Sequence, residues 1–156
     1  FNVGWVEDFI HPEYFDEYAY VCARSPVPIA AGEQVATVWD FERFINRGCV
    51  DVIQPDLSRC GGMSVATEVA RMAERAGIDL VPHSWLTHLL TGYSLQLIAT
   101  LPRARFVEFN VSQSELTRGI TKTRFSLSED GTVAIPDGPA IGVEVDLDFI
   151  EAHRVN

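Results

Sequence analysis

Five polar side chains follow short apolar segments at nearly even intervals along the chain. They are Glu7, Glu33, Asp56, His83 and Glu108, separated by 26, 23, 27 and 25 residues. Four are carboxylates, which bind hard cations or exchange protons, and the fifth is an imidazole that titrates near neutral pH. Each interval can hold one strand, one loop and one helix. Because the parallel strands of an α/β barrel end on one face, the pattern predicts a single site built from several strand ends.

Glu7 and Glu33 are expected at neighbouring strand ends, where their side chains can converge. Two such oxygen ligands suit Mg²⁺, which takes carboxylates, waters and substrate oxygens. Gly32 supports this interpretation, because glycine lets the backbone approach a ligand closely. The alternative is that each glutamate is an ordinary solvated acid, and Glu7 does stand beside a second acid, Asp8.

Asp56 and His83 are expected at the ends of successive strands, within reach of a carboxylate–imidazole hydrogen bond. Such a bond fixes the tautomer of the imidazole and raises its basicity, which produces a general acid or base near neutral pH. A hydrogen-bonded core histidine is the competing interpretation of His83. Glu108 ends an apolar segment, so we expect its carboxyl group to be partly buried and either protonated or hydrogen-bonded. A structural hydrogen bond to a neighbouring loop is the alternative for Glu108.

Strand and helix patterns alternate up to about residue 110. The patterns predict strands at residues 3–7, 28–33, 50–56, 79–83 and 105–108, and helices at residues 14–24, 37–47, 64–76 and 85–101. Beyond them, residues 125–135 predict a β-hairpin with its turn at Asp130-Gly131, and residues 147–154 a short closing helix. The predicted fold class is therefore α/β. About five βα units of a TIM-type barrel occupy residues 1–110, and a C-terminal return segment occupies residues 111–156.

Five strands are too few to close an eight-stranded barrel, which takes roughly 250 residues. The first residues, Phe-Asn-Val-Gly-Trp-Val, already have the composition of a buried strand. We therefore expect the chain to be part of a longer polypeptide, or to associate tightly with another copy, because bare sheet edges are unstable. A homo-oligomer is the predicted assembly.

The overall charge disfavours some classes of partner. Twenty-two acidic and twelve basic residues give a net charge of −10. Nucleic acids and anionic membrane surfaces require a basic surface, so neither is expected as a partner. No segment contains the roughly 18 apolar residues of a membrane span. The three cysteines, Cys22, Cys49 and Cys60, fit reduced thiols, and a cytoplasmic location is predicted.

The chain resembles the C-terminal half of an enolase-superfamily enzyme of the mandelate racemase subgroup. The resemblance covers essentially the whole chain and is carried by residues 5–8 (Trp-Val-Glu-Asp), Gly32-Glu33, Gln54-Pro-Asp56, Cys60-Gly61-Gly62, Pro82-His83-Ser84, Glu108 and residues 136–142. It implies barrel strands four to eight, with the first strands and the N-terminal capping domain absent. It also implies a small-molecule carboxylate substrate, in the first place a sugar acid.

The same resemblance implies Mg²⁺-dependent abstraction of the proton α to a carboxylate, through an enediolate intermediate. It assigns Glu7 and Glu33 to the metal, His83 and Asp56 to an acid/base dyad, and Glu108 to a hydrogen bond with the substrate carboxylate. Acid-sugar dehydration is the first expectation. Racemisation or epimerisation of 2-hydroxy acids is the alternative within the superfamily. Outside enzymatic activity, the alternatives are a non-catalytic truncated half-barrel and a plain α/β binding domain.

Two departures from the family's pattern affect these expectations. The third metal ligand and the base of strand two have no counterpart, so the isolated chain is expected to have little or no activity. Residues 56–59 read Asp-Leu-Ser-Arg, without the lysine that the lactonizing-enzyme and dipeptide-epimerase subgroup carries at the end of strand six. That absence disfavours cycloisomerase and epimerase activities of that subgroup.

Overall fold

The computed structural model describes residues 1–155 and contains a parallel sheet of four short strands. The strands are β1 Val6–Glu7, β2 Ile29–Ala31, β3 Val52–Ile53 and β4 Asp79–Leu80. Each strand pairs in parallel with the next one along the chain, with Ala30 opposite both Glu7 and Val52. Consecutive parallel strands joined by helices form an arc of a (β/α) barrel, as predicted.

The helices lie between and after the strands. They are α1 Phe15–Cys22, α2 Val38–Asn46, α3 Gly62–Ala76, α4 His88–Ala99, α5 Glu115–Gly119 and α6 Leu147–Ala152. The side chains of Thr37 and Thr87 accept hydrogen bonds from backbone amides in the first turns of α2 and α4. Because Thr87 is the cap, α4 begins at His88, and the predicted start at Trp85 was wrong. The C-terminal end of α3 is closed by Gly77 in the left-handed conformation, with φ +71°.

Most of the core lies between the sheet and the helices. Its largest fully buried side chains include Tyr18, Phe41 and Phe44, which pack against one another and the outer face of the sheet. In β2, alternate residues point to opposite faces, so Ile29 joins this core while Ala30 faces the inside of the arc. This packing fixes the strands, and the strand ends then carry the polar side chains.

The predicted fifth strand is wrong as a hydrogen-bonded strand. Residues 105–108 have no regular secondary structure, and within residues 1–155 no ladder joins them to β4. Side chains hold the segment instead. The ring of Phe106 meets that of Trp5 edge-on at 6.3 Å between centroids, and the carboxylate of Glu108 accepts hydrogen bonds from Ser84 and Gln54.

The predicted hairpin over residues 125–135 is reduced to its turn. Ser128 N donates to Thr132 O at 2.8 Å, and Gly131 adopts φ +79° as the turn chemistry requires. Beside the turn, the side chains of Leu127 and Ile135 are exposed, so apolar burial does not hold the two arms together. The predicted closing helix is present as α6. The division of the chain at residue 110 stays a prediction.

His88, the first residue of α4, is buried against the C-terminal segment and does not line the rim described below. Its ring meets that of Phe125 edge-on at 5.5 Å between centroids, and neither ring nitrogen has a hydrogen-bond partner among the described residues. Burial lowers the pKa of His88 below its ordinary value, and the charges of Arg118 and Arg124 lower it further. His88 is therefore a neutral core residue at pH 7.

Acidification is expected to weaken this packing. Because the pKa of His88 is lower in the folded chain than in the unfolded chain, the unfolded chain takes up the proton first as the pH falls below about 6.5. The contribution of His88 to the free energy of unfolding should therefore fall between pH 7.5 and 5, so over this range the wild type should lose more stability, or gain less, than His88→Leu. Urea unfolding across this range measures the difference, with the exposed His11 replaced by leucine as control. Equal losses in wild type and His88→Leu would contradict the assignment.

Within the described range, every helix is too short or too polar to cross a membrane. All three cysteines are free. Burial raises the pKa of Cys22 to about 12 and that of Cys49 to about 11, so both are protonated thiols at neutral pH.

Candidate active site

The five predicted site residues lie along one rim of the sheet, at or just beyond the carboxyl ends of the strands. Glu7 ends β1, and Glu33 lies two residues past the end of β2. Asp56 and His83 each lie three residues past their strands and form an isolated parallel bridge with each other, which extends the β3–β4 pairing to the rim. Glu108 reaches the rim from the segment after α4. The structure thus brings all five side chains together.

Asp56 and His83 form a close, buried pair. Nδ1 of His83 lies 2.7 Å from Oδ2 of Asp56, whose side chain is 0% exposed. Oδ1 of Asp56 accepts two further hydrogen bonds from Ser58, one from the backbone N at 2.7 Å and one from Oγ at 2.6 Å. Burial opposes the charge of Asp56, but the hydrogen bonds from His83 and Ser58 outweigh it and hold the pKa of Asp56 below its ordinary value. Asp56 therefore stays ionised and keeps the proton of His83 on Nδ1.

The second ring nitrogen of His83 faces the rim. Nε2 lies 2.9 Å from Oε2 of Glu33 and 3.8 Å from Oε2 of Glu108. Burial disfavours a charged imidazole, but the hydrogen bond to Asp56 and the charges of Glu108 and Glu33 outweigh it and raise the pKa of His83 above its ordinary value. His83 is thus oriented by a carboxylate at Nδ1 and can give or take a proton at Nε2.

The other two carboxylates are tied into the rim by hydrogen bonds. Oε2 of Glu7 accepts from Nε1 of Trp5 at 3.0 Å and from Nε2 of Gln54 at 2.8 Å. Glu108 accepts from the backbone N of Ser84 at 3.0 Å and from Nε2 of Gln54 at 3.2 Å. Burial raises the pKa of Glu108, and although the Ser84 amide opposes this, the pKa stays above its ordinary value. The expected hydrogen-bonded, partly buried carboxyl group at Glu108 is present.

The sequence alone assigns no role to Gln54, although the structure makes it part of the rim. Its side chain is 1% exposed and contacts two of the five predicted residues. The signal available in the sequence was its position two residues before Asp56, because residues i and i+2 of an extended segment point to the same side.

Asp8 is a second residue that the sequence interpretation left aside. Among residues 1–155 it is one of two non-glycine residues with positive φ, at +43°, and such strain is often found at functional sites. Burial raises the pKa of Asp8 to about 6, with the charges of Glu33 and Glu7 adding to the rise. Asp8 therefore lies close enough to Glu33 and Glu7 for their charges to act on it.

The rim borders an open cleft of about 540 Å³. Its lining consists of Glu7, Glu33, Arg59, His83, Trp85, Leu86, Glu108 and Phe109. Arg59 contributes a guanidinium group, with Nη1 3.4 Å from Oε1 of Glu33, and Trp85 contributes an exposed ring, 62% accessible. A floor of carboxylates with an apolar wall suits a small polar molecule, and an anionic one needs added positive charge.

The residues present fit a hard divalent cation in type but do not enclose one. Among residues 1–155, no three His, Cys, Asp or Glu side chains are grouped to hold a metal ion by themselves. Glu7 and Glu33 supply oxygen ligands, and the cleft is lined by three carboxylates against one guanidinium group. Such cations are often bound by one or two carboxylates together with waters and substrate oxygens. A cation bound here would need further ligands in addition to Glu7 and Glu33.

Comparison with known proteins identifies relatives along the whole chain. A family model described as enolase C-terminal domain-like matches residues 1–149. The D-galactarolactone cycloisomerase of Agrobacterium fabrum is 31% identical over 163 residues, which cover 99% of this chain and 43% of that protein. The D-xylonate dehydratase of Haloferax volcanii is 31% identical over 155 residues, which cover 99% of this chain and 37% of that protein. The chain spans less than half the length of these curated relatives.

Solved structures show the same backbone arrangement. The 3,6-anhydro-D-galactonate cycloisomerase from Zobellia galactanivorans matches with a TM-score of 0.88 at 30% identity, over 97% of this chain and 42% of that chain. A member of the enolase superfamily from Polaromonas sp. JS666 matches with a TM-score of 0.89 at 35% identity, over 99% of this chain and 41% of that chain. The predicted fold class, a portion of a TIM-type barrel, is confirmed by this agreement.

Proposed function

The chain belongs to the enolase C-terminal domain-like family, and on this premise we propose that its rim transfers a proton at the carbon next to a substrate carboxylate. The proposed substrate is a sugar acid and the proposed reaction is dehydration, as in the relatives named D-xylonate dehydratase and D-galactonate dehydratase. One observation carries the proposal. His83 is fixed at Nδ1 by the buried carboxylate of Asp56 at 2.7 Å and presents Nε2 to the cleft.

Each rim residue has a proposed role that follows from its contacts. His83 moves the proton at Nε2, while Asp56 holds the ring in one tautomer and compensates the charge of the imidazolium. Glu108, whose pKa is raised by burial, donates a hydrogen bond to the substrate carboxylate when it is protonated. The exposed ring of Trp85 and the side chain of Leu86 cover the carbon chain of the substrate from the wall of the cleft.

Mg²⁺ is the proposed cofactor, held by Glu7 and Glu33. The support is the oxygen donor set together with the three carboxylates that line the cleft against one guanidinium group, an excess of negative charge that a bound cation would relieve. When bound, Mg²⁺ would neutralise the negative charge that develops on the substrate carboxylate during proton abstraction. The anionic substrate could then enter a cleft that otherwise carries three carboxylates and one guanidinium group.

Cycloisomerisation is the second candidate reaction. The absence of a lysine among residues 56–59 disfavoured it, yet two relatives are named cycloisomerases, one for D-galactarolactone and one for 3,6-anhydro-D-galactonate. Those names make cycloisomerisation a second candidate for this chain, although residues 56–59 lack the lysine. Dehydration and cycloisomerisation both use acidic sugar derivatives, so both reactions require the same chemistry of the Asp56–His83 pair and of the proposed metal ligands.

The 156-residue chain alone is proposed to turn over sugar acids slowly or not at all. Among the described residues the rim offers one histidine as an acid/base group and no group of three metal ligands. Removal of a proton needs one base, whereas dehydration also needs an acid that assists departure of the hydroxyl group. The chain should therefore still exchange the proton next to the substrate carboxylate with solvent, even if it does not form the dehydrated product.

Deuterium exchange tests this function directly. The chain is incubated with Mg²⁺ and D-galactonate, or its C2 epimer, in D₂O, and loss of the C2 proton is followed by ¹H NMR. Exchange is expected with one of the two epimers, and His83→Asn should slow it by about 10²–10⁴-fold, whereas the exposed His11→Asn should not. An absence of exchange in wild type, or equal rates in wild type and His83→Asn, would refute His83 as the base. Rapid keto-acid formation would refute the proposed low activity.

A further inference from the structure

The side chain of Gln54 lies between two carboxylates that reach the rim from opposite ends of the sheet. Glu7 belongs to the first strand, and Glu108 to the segment that follows the last strand and α4. Nε2 of Gln54 donates to Oε2 of Glu7 at 2.8 Å and to Oε1 of Glu108 at 3.2 Å. An amide nitrogen has two hydrogens, so one group satisfies both carboxylates at once.

These two hydrogen bonds act against electrostatic repulsion. The charge of Glu7 is one of the causes that raise the pKa of Glu108, so the two carboxylates sense each other across the rim. Hydrogen bonds to ionised acceptors are stronger than those between neutral groups. The Gln54 side chain is only 1% exposed, so water does not easily replace it between the carboxylates. Without this amide, Glu7 would keep the hydrogen bond from Trp5 and Glu108 the one from Ser84, but no shared donor would link the two carboxylates.

The backbone that carries the amide is itself held in place. Gln54 N donates to Ala31 O at 2.9 Å, which continues the pairing of β2 with β3. Gly32 has φ +140°, and a Cβ atom there would lie 2.9 Å from Gln54 N. Only glycine permits this approach of the two backbones, so the position of Gln54 is determined by β2 as well as by β3.

We propose that Gln54 is a positioning residue that fixes the separation of Glu7 and Glu108 across the floor of the cleft. The consequence rests on the proposed function. Glu7, one of the two acids assigned to Mg²⁺, and Glu108, assigned to the substrate carboxylate, are held so that both face the same bound molecule. The bridge itself does not depend on that function, so the two can be tested separately.

NMR of the side-chain amide tests the bridge in the wild-type fold. The two Nε2 protons of Gln54 should resonate apart from those of free glutamine. Glu7→Gln should shift one of them, and Glu108→Gln the other, because each variant removes one charged acceptor. Gln96 is the matched control, since its Nε2 also donates twice, to Pro136 O at 2.8 Å and Ile141 O at 3.3 Å. Gln54 resonances that neither variant moves would overturn the proposal.

Mg²⁺ binding measured by isothermal titration calorimetry tests the consequence. Gln54→Met keeps the length of the side chain and removes the amide, so it should weaken Mg²⁺ binding by about tenfold. Gln96→Met should leave the dissociation constant within about twofold of wild type. Equal affinities in wild type and Gln54→Met would overturn the positioning role.

Two further outcomes separate this proposal from the proposed function. If the wild-type chain binds no Mg²⁺, the proposed metal site fails, and the NMR result alone decides the bridge. If Gln54→Met does not fold, Gln54→Asn replaces it, because its shorter amide cannot reach both carboxylates. Gln54→Asn should then lose the response to one of the two glutamate variants, and a retained response to both would overturn the bridge.

Discussion

Asp56→Ala is expected to lower the free energy of unfolding by about 3–5 kcal/mol, the cost of removing one partner from a buried ion pair. The Asp56 side chain is completely buried. Its Oδ1 accepts two hydrogen bonds from Ser58, and its Oδ2 contacts Nδ1 of His83. Alanine would leave these donors buried without an acceptor. Urea unfolding at pH 7 measures the loss.

Two further variants separate the lost hydrogen bonds from other effects of the substitution. Asp79→Ala removes an exposed carboxylate that pairs with Arg103 at 3.1 Å, and such a pair contributes less than about 1 kcal/mol. Asp56→Asn keeps the shape and the acceptor for Ser58 but presents an amide to His83, so its cost should be intermediate. If Asp56→Ala destabilises the chain no more than Asp79→Ala does, the buried pair does not stabilise the fold.

The location of the rim could be predicted because two separate demands on the sequence coincide there. Strands buried on both faces must be apolar, so a titratable residue after an apolar segment marks the strand end, where polar partners are available even to a buried group such as Asp56. The βα repeat then fixes the interval between successive strand ends at 23–27 residues from Glu7 to Glu108. Parallel strands end on one side, so regular spacing alone places Glu33, Asp56 and His83 near one another.

The pairing of residues 105–108 could not be predicted in the same way. An apolar segment has the same pattern whether its backbone pairs with a strand or its side chains pack on a neighbour. Phe106 is part of the apolar segment, but its ring packs against Trp5. Glu108 is held by hydrogen bonds from a side chain and from a backbone amide, without a ladder. Whether a ladder forms depends on the partner strand, and β4 is only two residues long.

The role of Gln54 could not be predicted because it depends on two distant partners. Glu7 and Glu108 lie 47 and 54 residues away in the sequence, one on each side. A glutamine at the end of an apolar strand is compatible with a solvated side chain as well as with a bridge. Only the packing of three strands and the returning segment decides between them.

Glu33→Gln is expected to weaken Mg²⁺ binding by about a hundredfold, equivalent to two factors of ten at about 1.4 kcal/mol each. Glu33 is one of two proposed carboxylate ligands, and an amide keeps one oxygen but loses the charge that attracts the cation. The pKa of Asp8, raised by burial and then by Glu33, should fall in the same variant. Calorimetric titration measures the affinity, and ¹³C NMR of the Asp8 carboxyl measures its pKa. Glu68→Gln, which removes an exposed charge paired with Arg71 on α3, is the control for net charge. An equal loss of affinity in both variants would mean that Glu33 acts only through the overall charge of the chain and does not bind the ion.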